Sequence, residues 1–280
     1  MNNMDVLNYG SKLLKNSNIN THNLDSELIL ARVLNLTREE LLINLDKKLD
    51  RKNFKKYNNL ILRRKKNEPI AHIFQNKEFW KYNFIVNGNV LIPRPETEII
   101  VQELLKLTNY YSFKHILDIG TGSGCIIISL LKNRPFCNGT AIDISRKALK
   151  VAKSNAKMHH LENKIKFINN DIDKFNYNKY DFIVSNPPYI SKSELKRLNS
   201  NVRLYEPKIA LEAGIDGFRE IKKIILRSKK LLKRNGKLFF EIGKKQKEFS
   251  ICLLKKNGFY LNKICSDISS IPRVLISTKI

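Results

Sequence analysis

The sequence predicts an α/β protein whose main part is a doubly wound, mostly parallel β-sheet. Short apolar runs alternate with amphipathic stretches after His115, as expected for parallel strands joined by crossover helices. A terminal antiparallel pair, Phe259–Cys265 and Val274–Ser277, is expected to complete the sheet. The predicted parallel strands are Ile116–Ile119, Thr140–Asp143, Ile165–Ile168, Phe182–Val184 and Leu238–Ile242. The predicted helices between them include Ile126–Lys132, Arg146–Met158 and Phe218–Leu232.

Residues 1–75 are predicted to form a separate helical domain. Apolar residues recur at helical spacing from Leu24 to Leu34, and Thr37 and Glu40 have the spacing of a capping box at the next helix start. This part of the chain has no strand pattern and no catalytic constellation. We therefore expect a small helical bundle that serves substrate recognition.

A β-hairpin is predicted to connect the two parts over residues 76–93. The apolar runs 79–86 and 90–92 flank Asn87 and Gly88, a dipeptide that favours a two-residue hairpin turn. The catalytic domain is then expected to span residues 94–280.

The composition is ordinary for a soluble globular protein, with 42% hydrophobic and 28% charged residues. No apolar run approaches the length that spans a bilayer, and residues 1–10 lack a signal-peptide pattern, so we expect a cytoplasmic protein without membrane contact and, further, a monomer. The four cysteines are scattered, which argues against a metal site.

The net charge of +26 favours anionic partners, but an AT-rich genome would produce the same wealth of lysine. We expect no required contact with nucleic acid, only nonspecific contact through the basic surface. The charge alone names no partner.

A glycine-rich loop follows the first predicted strand and points to a nucleoside-containing cofactor. The loop residues are Gly120, Thr121, Gly122, Ser123 and Gly124. Its glycines let the backbone turn tightly, and free N–H groups at the following helix start favour a carboxylate or phosphate. Asp143 ends the next strand, where it would accept hydrogen bonds from ribose hydroxyls, and Asp171 and Ile172 follow the third. The glycine spacing is closer than in a dinucleotide fold and resembles that of S-adenosylmethionine-dependent methyltransferases, in which Asp171 and Ile172 would lie by the adenine.

The loop Asn186-Pro187-Pro188-Tyr189 follows the fourth strand, at the edge of the sheet where ligands bind in such folds. The Asn186 side-chain oxygen and the Pro187 carbonyl can accept both hydrogens of a planar NH2 group. Its lone pair would then face a sulfonium methyl, and Tyr189 would pack on the substrate. Such loops are typical of methyltransferases that act on adenine or glutamine nitrogens.

The chain resembles the release factor glutamine methyltransferases over nearly all of its length. The resemblance rests on five motifs, which are Val90–Glu98, Leu117–Gly124, Val184–Ile190, Tyr205–Pro207 and Ala213–Gly217. It implies a class I methyltransferase (Rossmann-like) fold and S-adenosyl-L-methionine as methyl donor. The implied reaction is methylation at N5 of the glutamine in the Gly-Gly-Gln motif of class 1 peptide chain release factors.

The resemblance also implies roles for individual residues. Cofactor contacts fall on Gly120 to Gly124, Asp143, Ile172 and Asn186, and the glutamine pocket on Asn186 to Tyr189. Two further site residues are predicted from their positions in the sequence. Asp171 is expected to lie beside the adenine, and Arg94, in a stiff loop between two prolines, is expected to contact the substrate. Ile172 stands where relatives often have an aromatic residue.

Three alternatives stay open at this point. One is methylation of a glutamine in a ribosomal protein, although the Arg94–Glu98 run favours the release factor. Another is an adenine methyltransferase acting on nucleic acid, which the charge allows but for which no recognition module is evident. The third is a binding protein that retains the fold, against which the complete glycine loop, Asp143 and Asn186 argue.

Overall fold

A computed structural model describes all residues, 1–280. None of its helices has the length and apolar character needed to cross a membrane. The chain divides into two compact units, one formed by residues 1–74 and 200–205 and the other by residues 75–199 and 206–280.

The elements follow one another along the chain, with helices concentrated before residue 75 and strands after it. The helices are α1 (Asn3–Lys15), α2 (His22–Leu34), α3 (Arg38–Ile43), α4 (Arg51–Lys65), α5 (Ile70–Phe74), α6 (Glu98–Lys106), α7 (Cys125–Asn133), α8 (Arg146–Met158), α9 (Lys192–Leu195), α10 (Ser200–Tyr205), α11 (Arg219–Leu231) and α12 (Lys247–Lys256). The strands are β1 (Asn76–Phe79), β2 (Tyr82–Ile85), β3 (His115–Ile119), β4 (Asn138–Asp143), β5 (Ile165–Asn169), β6 (Tyr180–Ser185), β7 (Leu232–Glu241), β8 (Phe259–Ser266) and β9 (Pro272–Lys279).

The first unit is a helical bundle around its own apolar core, formed by α1 to α5 and α10. The capping box predicted for Thr37 and Glu40 is confirmed at the start of α3, where each side chain bonds the other residue's N–H. Two buried polar contacts join its helices. Ser26 of α2 meets Tyr57 of α4 at 2.7 Å between hydroxyl oxygens, and Arg64 pairs with Asp25 at 2.7 Å.

The second unit is built on a seven-stranded sheet with the order β5-β4-β3-β6-β7-β9-β8. The first five strands of that order run parallel, and β9 is antiparallel to both β7 and β8. The predicted doubly wound sheet with a terminal antiparallel pair is therefore confirmed. β4 and β6 lie on opposite sides of β3, so the strand order reverses between β3 and β6, which is where such sheets open a crevice for ligands.

The sheet is apolar on both faces because helices cover both. Successive residues of β3 alternate between two cores, with Ile116 in one and Leu117 in the other. In β7, Phe239 and Phe240 divide in the same way. The burial of both faces explains why the strands are continuous apolar runs in the sequence.

The β-hairpin differs from the sequence prediction. Its strands are β1 and β2, joined by Trp80 and Lys81, and not two strands flanking Asn87 and Gly88. Trp80 has a left-handed backbone (φ 60°), and its N–H donates to Glu98 at 2.7 Å, a charge-assisted bond that offsets the strain. The predicted turn was wrong because residues 90–92 find no partner strand.

Candidate active site

A cavity opens at the carboxyl ends of β3 and β6, where Ile119 and Ser185 are paired neighbours. It encloses about 400 Å³, within the range of small-molecule sites. Ten of the residues singled out in the sequence line it, and these are Gly120, Thr121, Gly122, Ser123, Asp143, Asp171, Ile172, Asn186, Pro187 and Pro188. Gly124, Tyr189 and Arg94 do not line it.

The glycine loop needs its glycines for two different reasons. Gly120 and Gly122 have left-handed backbones (φ 70° and 57°), and a Cβ on either would have no neighbour closer than 3.9 Å. The requirement there is conformational, and the missing side chains leave the backbone bare towards the cavity. At Gly124 (φ 81°) a Cβ would also lie 3.0 Å from Ile128 Cδ1 and 3.3 Å from Ala152 Cβ, so this glycine lets α7 pack against α8.

Most N–H groups of the glycine loop donate to acceptors within the protein. Those of Gly120 and Thr121 donate to the Ile142 carbonyl at 2.9 and 3.0 Å, and that of Gly124 donates to Thr121. The N–H of Gly122 donates to Asp143 Oδ2 at 3.0 Å. The expectation of free donors at the helix start concerns the first turn of α7, whose N–H groups have no partner within the helix.

Asp143 is held at the end of β4 by backbone groups on two sides. Besides the Gly122 bond, its Oδ1 accepts from the Ser145 N–H at 2.8 Å. Burial raises the pKa of Asp143, and these two bonds oppose that rise. Each carboxylate oxygen keeps a lone pair, so the side chain can still accept from hydroxyl groups in the cavity.

Ile172 and Asp171 form the wall beyond β5. Ile172 is buried and offers an aliphatic surface, while the Asp171 side chain caps the short 3-10 turn that follows it by accepting from the Asp173 N–H at 3.0 Å. Lys223 of α11 also lines this wall and lies 3.0 Å from Asp173. This arrangement suits a flat apolar ring on Ile172 with polar groups at its edge.

Asp118 is a buried carboxyl group behind the glycine loop that the sequence analysis did not single out. Its Oδ2 accepts from the Thr121 hydroxyl at 2.7 Å, and its Oδ1 has no partner. Burial raises the pKa of Asp118 to about 7. Its position as the last-but-one residue of β3 was visible in the sequence, but its isolation from any cation was not.

Asn186 directly follows β6, and its amide is oriented by a hydrogen bond. Nδ2 donates to the Thr97 hydroxyl oxygen at 2.8 Å, while the Asn186 Oδ1 is buried without a partner. Thr97 in turn donates to Glu241 Oε2 at 2.5 Å. An acceptor oxygen is thus left unbonded on a residue that lines the cavity, and Thr97 and Glu241 join the site although sequence reasoning missed them.

The chain after Asn186 is fixed by Gln246. Its Nε2 donates to the carbonyls of Gly217 (2.7 Å) and Tyr189 (3.2 Å), and its Oε1 accepts from the Gly243 N–H at 2.8 Å. Ile190 pairs with the segment at Glu212 in a parallel bridge. The Tyr189 hydroxyl lies beside Glu241, and the predicted contact of Tyr189 with substrate stays a prediction.

Arg94 is engaged in an ion pair. Its Nη2 lies 2.6 Å from Glu206 Oε1, and Glu206 Oε2 accepts from the Ile92 N–H at 3.0 Å. The Glu206 side chain is 1% exposed. The pair joins the motifs at residues 90–98 and 205–207, and the predicted substrate contact of Arg94 stays a prediction.

Two domain families match the chain, the PrmC N-terminal domain at residues 5–74 and the methyltransferase small domain at residues 95–204. Curated relatives named release factor glutamine methyltransferase come from Caulobacter vibrioides (36% identical, covering 95% of this chain and 92% of the relative) and Clostridium acetobutylicum (34%, 98% and 98%). A bifunctional methyltransferase of Rickettsia bellii is 37% identical over 96% of this chain. The chain spans about half the length of that relative (53%) and of its counterparts in other Rickettsia species.

Solved structures of methyltransferases share the fold of the second unit. A ribosomal protein L11 methylase from Lactobacillus delbrueckii superposes with a TM-score of 0.51 over 69% of this chain and 83% of that one, at 18% identity. A methyltransferase from Pyrococcus furiosus gives 0.51 over 69% and 87%, also at 18% identity. The predicted class I methyltransferase (Rossmann-like) fold is thereby confirmed.

Proposed function

Since the chain belongs to the release factor glutamine methyltransferase family, we propose that it methylates a release factor. The methyl group of S-adenosyl-L-methionine would go to N5 of the glutamine in the Gly-Gly-Gln motif of a class 1 peptide chain release factor. The observation that carries the proposal is the Asn186 amide, whose oxygen is buried, unbonded and carried by a residue of the cavity wall.

The residues of the cavity suit S-adenosyl-L-methionine. The Asp143 carboxylate would accept from the ribose hydroxyls, Ile172 would pack on the adenine, and Asp171 would lie at its edge. The bare backbone at Gly120 and Gly122 would follow the methionine part. When bound, the cofactor supplies a methyl group on a positively charged sulfur, which is open to attack by a nitrogen lone pair.

The glutamine nitrogen is a poor nucleophile because its lone pair is delocalised into the amide carbonyl. Asn186 Oδ1 and the Pro187 carbonyl would accept one N–H each, which turns the lone pair towards the methyl group. Fixing two reactants in line can lower a barrier by ~7–11 kcal/mol in the best intramolecular examples. Proton loss to solvent would follow the transfer.

We assign substrate recognition to the helical unit that contains residues 1–74. Its match to the PrmC N-terminal domain supports this role, because the matching relatives are named for the release factor. The catalytic unit would hold the cofactor and the glutamine, and a basic surface would contribute only nonspecific attraction. We propose that the protein acts as a monomer.

A comparison of substrates tests the proposal. The protein is incubated with S-adenosyl-L-methionine and, in separate reactions, a purified class 1 release factor, a ribosomal-protein extract or adenine-containing DNA, and the methyl group is located by mass spectrometry. We expect a single methyl group on the Gly-Gly-Gln glutamine. Methylation of a ribosomal protein or of DNA, without the release factor, would replace the proposal with one of the alternatives.

Replacing Asn186 tests its role within that reaction. We expect Asn186→Ala to lower kcat by about 100-fold or more, as for the loss of a group that orients the reacting atoms, while the dissociation constant for S-adenosyl-L-methionine changes less than about threefold. Calorimetry and initial rates measure the two quantities. Asn163→Ala, in an exposed turn, is the control. Equal losses of both quantities would make Asn186 chiefly a cofactor contact.

A further inference from the structure

Thr97 and Glu241 form a buried chain of hydrogen bonds that ends on the Asn186 amide. The chain runs from Asn186 Nδ2 to Thr97 Oγ1 (2.8 Å) and from that hydroxyl to Glu241 Oε2 (2.5 Å). Thr97 is 2% exposed and Glu241 1% exposed. The three residues come from the start of α6, the end of β7 and the loop after β6, so only the tertiary fold brings them together.

The direction of the Thr97 proton decides which end of the Asn186 amide bonds Thr97 and which end is left without a partner. The two ends of an amide have nearly the same shape, and hydrogen bonds select between them. A threonine hydroxyl has one hydrogen. When that hydrogen is donated to Glu241, the Thr97 oxygen can only accept from Asn186, and only the NH2 end of the amide can face it. The oxygen is then left for a ligand.

Resting on the proposed function, we propose that Thr97 and Glu241 are positioning residues that keep the Asn186 oxygen turned towards the substrate glutamine. The reversed amide would place an NH2 group against the glutamine NH2 group. Two donors facing each other cannot bond, and the grip on the nucleophile would be lost. Neither residue needs to touch the substrate for this effect.

The surroundings of Glu241 make the hydrogen bonds between Asn186, Thr97 and Glu241 sensitive to pH. The groups that face the carboxylate besides Thr97 are Arg273 of β9, Glu96 before α6 and the Tyr189 hydroxyl. Burial raises the pKa of Glu241 to about 7, although Thr97 and Arg273 oppose the rise. A protonated Glu241 can donate to Thr97, which frees the Thr97 hydrogen for the Asn186 oxygen and reverses the amide.

The first test removes the Thr97 hydroxyl. We expect Thr97→Val to lower kcat on the release factor by between about 10-fold and 100-fold, with cofactor affinity changed less than about threefold, because a misaligned reactant costs rate and not cofactor binding. Thr97→Ser keeps the hydroxyl and should retain at least a third of kcat. Thr140→Val is the matched control, since Thr140 is also a buried threonine of this unit but does not line the cavity.

The second test separates positioning from general damage to the fold. If Thr97 acts through Asn186, then Thr97→Val should lower kcat no further in an Asn186→Ala background, whereas two independent defects would multiply. Unfolding of the ligand-free single and double variants of Thr97 and Glu241 gives a readout without catalysis. Their effects on the free energy of unfolding should be non-additive, as for groups in one hydrogen-bonded chain.

The third test uses the carboxyl group. Glu241→Leu should lower kcat at every pH, because Thr97 loses its acceptor. Glu241→Gln is the uncharged counterpart of the protonated carboxyl group, because its amide likewise offers both a donor and an acceptor, and it does not titrate. The wild-type kcat should fall as the pH drops through about 7, and Glu241→Gln should have a low kcat already at pH 8 and therefore no acid limb.

The outcomes distinguish this inference from the proposed function. A wild-type protein that methylates no release factor removes the function itself. A wild-type protein that does so, with Thr97→Val as active as Thr140→Val, would overturn the positioning role alone. The positioning role is likewise overturned if the effects of Thr97→Val and Asn186→Ala multiply, or if the acid limb persists in Glu241→Gln. Non-additive rates and a lost acid limb would support it.

Discussion

At the scale of single residues, the site contains two buried carboxyl groups that form no ion pair. Asp118 and Glu241 are both almost fully buried, and burial raises the pKa of each to about 7. Each accepts one bond from a threonine hydroxyl, Thr121 and Thr97 respectively. Such groups are costly to keep charged in the folded protein, which is why they are common where a ligand must be held and uncommon elsewhere.

Asp118 should make the folded protein less stable as the pH rises. Its pKa is 3.8 ordinarily and about 7 when folded, so between these pH values the folded state binds more protons than the unfolded state. The free energy of unfolding therefore falls as the pH rises from about 4 to about 7. One pKa unit corresponds to about 1.4 kcal/mol, and we expect Asp118→Asn to reduce the fall by roughly 2–4 kcal/mol.

Urea unfolding at a series of pH values between about 4 and 8 measures the effect of Asp118. Asp46→Asn, at an exposed position, should leave the profile unchanged. Because Glu241 contributes to the same slope, part of the fall should remain in Asp118→Asn. An unaltered slope in Asp118→Asn would contradict the raised pKa.

At the scale of elements, side-chain amides join segments that backbone pairing leaves apart. Asn155 of α8 is fully buried, donates to the carbonyls of Ser123 (2.8 Å) and Ile85 (3.0 Å), and accepts from the Ile85 N–H at 2.7 Å. It thereby ties the glycine loop to the hairpin strand β2. Gln246 does the same for the loop after β6. The glycine loop and the loop after β6, which both line the cavity, are thus each fixed by hydrogen bonds from a side-chain amide.

Replacing Asn155 should weaken both the fold and the cofactor site. Asn155→Leu would leave three backbone groups without partners, at a cost of about 1–3 kcal/mol for each that stays buried. We expect the free energy of unfolding to fall by about 2–4 kcal/mol and cofactor affinity to fall with it. Ser154→Leu, exposed on the same helix, is the control and should change neither in urea unfolding and calorimetry. Similar effects of the two variants would show that the hydrogen bonds of Asn155 do not stabilise the glycine loop and β2.

The sequence was sufficient for the strands and helices of the sheet but not for the hairpin turn. The strand positions follow from apolar runs that reflect burial on both faces, a property encoded locally. At the turn, the Trp80 backbone N–H donates to Glu98, which is distant in sequence, and the Asn87-Gly88 signal was followed by no partner strand. Local rules for turns therefore failed where a tertiary contact outweighed them.

The candidate site likewise contains residues that the sequence predicted and residues that only the structure revealed. Asn186 and the glycine loop were recognisable because their residue types and spacing carry the chemistry. Thr97 and Glu241 were not, since an ordinary threonine and the last residue of an apolar strand become informative only when the fold joins them. Arg94 was noticed for its setting, and the ion pair with Glu206 emerged only from the structure.

At the scale of the whole molecule, the charge is strongly unbalanced. Lysine and arginine number 52 against 26 aspartate and glutamate residues, a net charge of +26. The ion pairs that do form are mostly at the surface, where each contributes little. Repulsion between like charges should therefore oppose folding, and dissolved salt should relieve it.

Salt should raise the thermal stability of the protein. Increasing the ionic strength from about 0.01 M to about 0.1 M shortens the screening length from about 30 Å to about 10 Å, which weakens the repulsion among the excess positive charges. We expect the Tm in differential scanning calorimetry to rise by a few degrees. Sodium fluoride and sodium chloride should act alike, because screening depends on ionic strength. A Tm that is constant or falls would show that the excess charge does not limit stability.

Trp80 has a further use, because it is the one tryptophan in the sequence. It is partly buried against the apolar core of the catalytic unit, and its backbone N–H donates to Glu98, the residue after Thr97. Fluorescence excited at the red edge of the indole band therefore reports on the surroundings of Trp80 alone. Through Glu98, Trp80 lies next to Thr97, the residue that bonds the Asn186 amide. The emission of the unmodified protein can follow unfolding of that unit without an attached dye, and the helical unit stays optically silent in the same experiment.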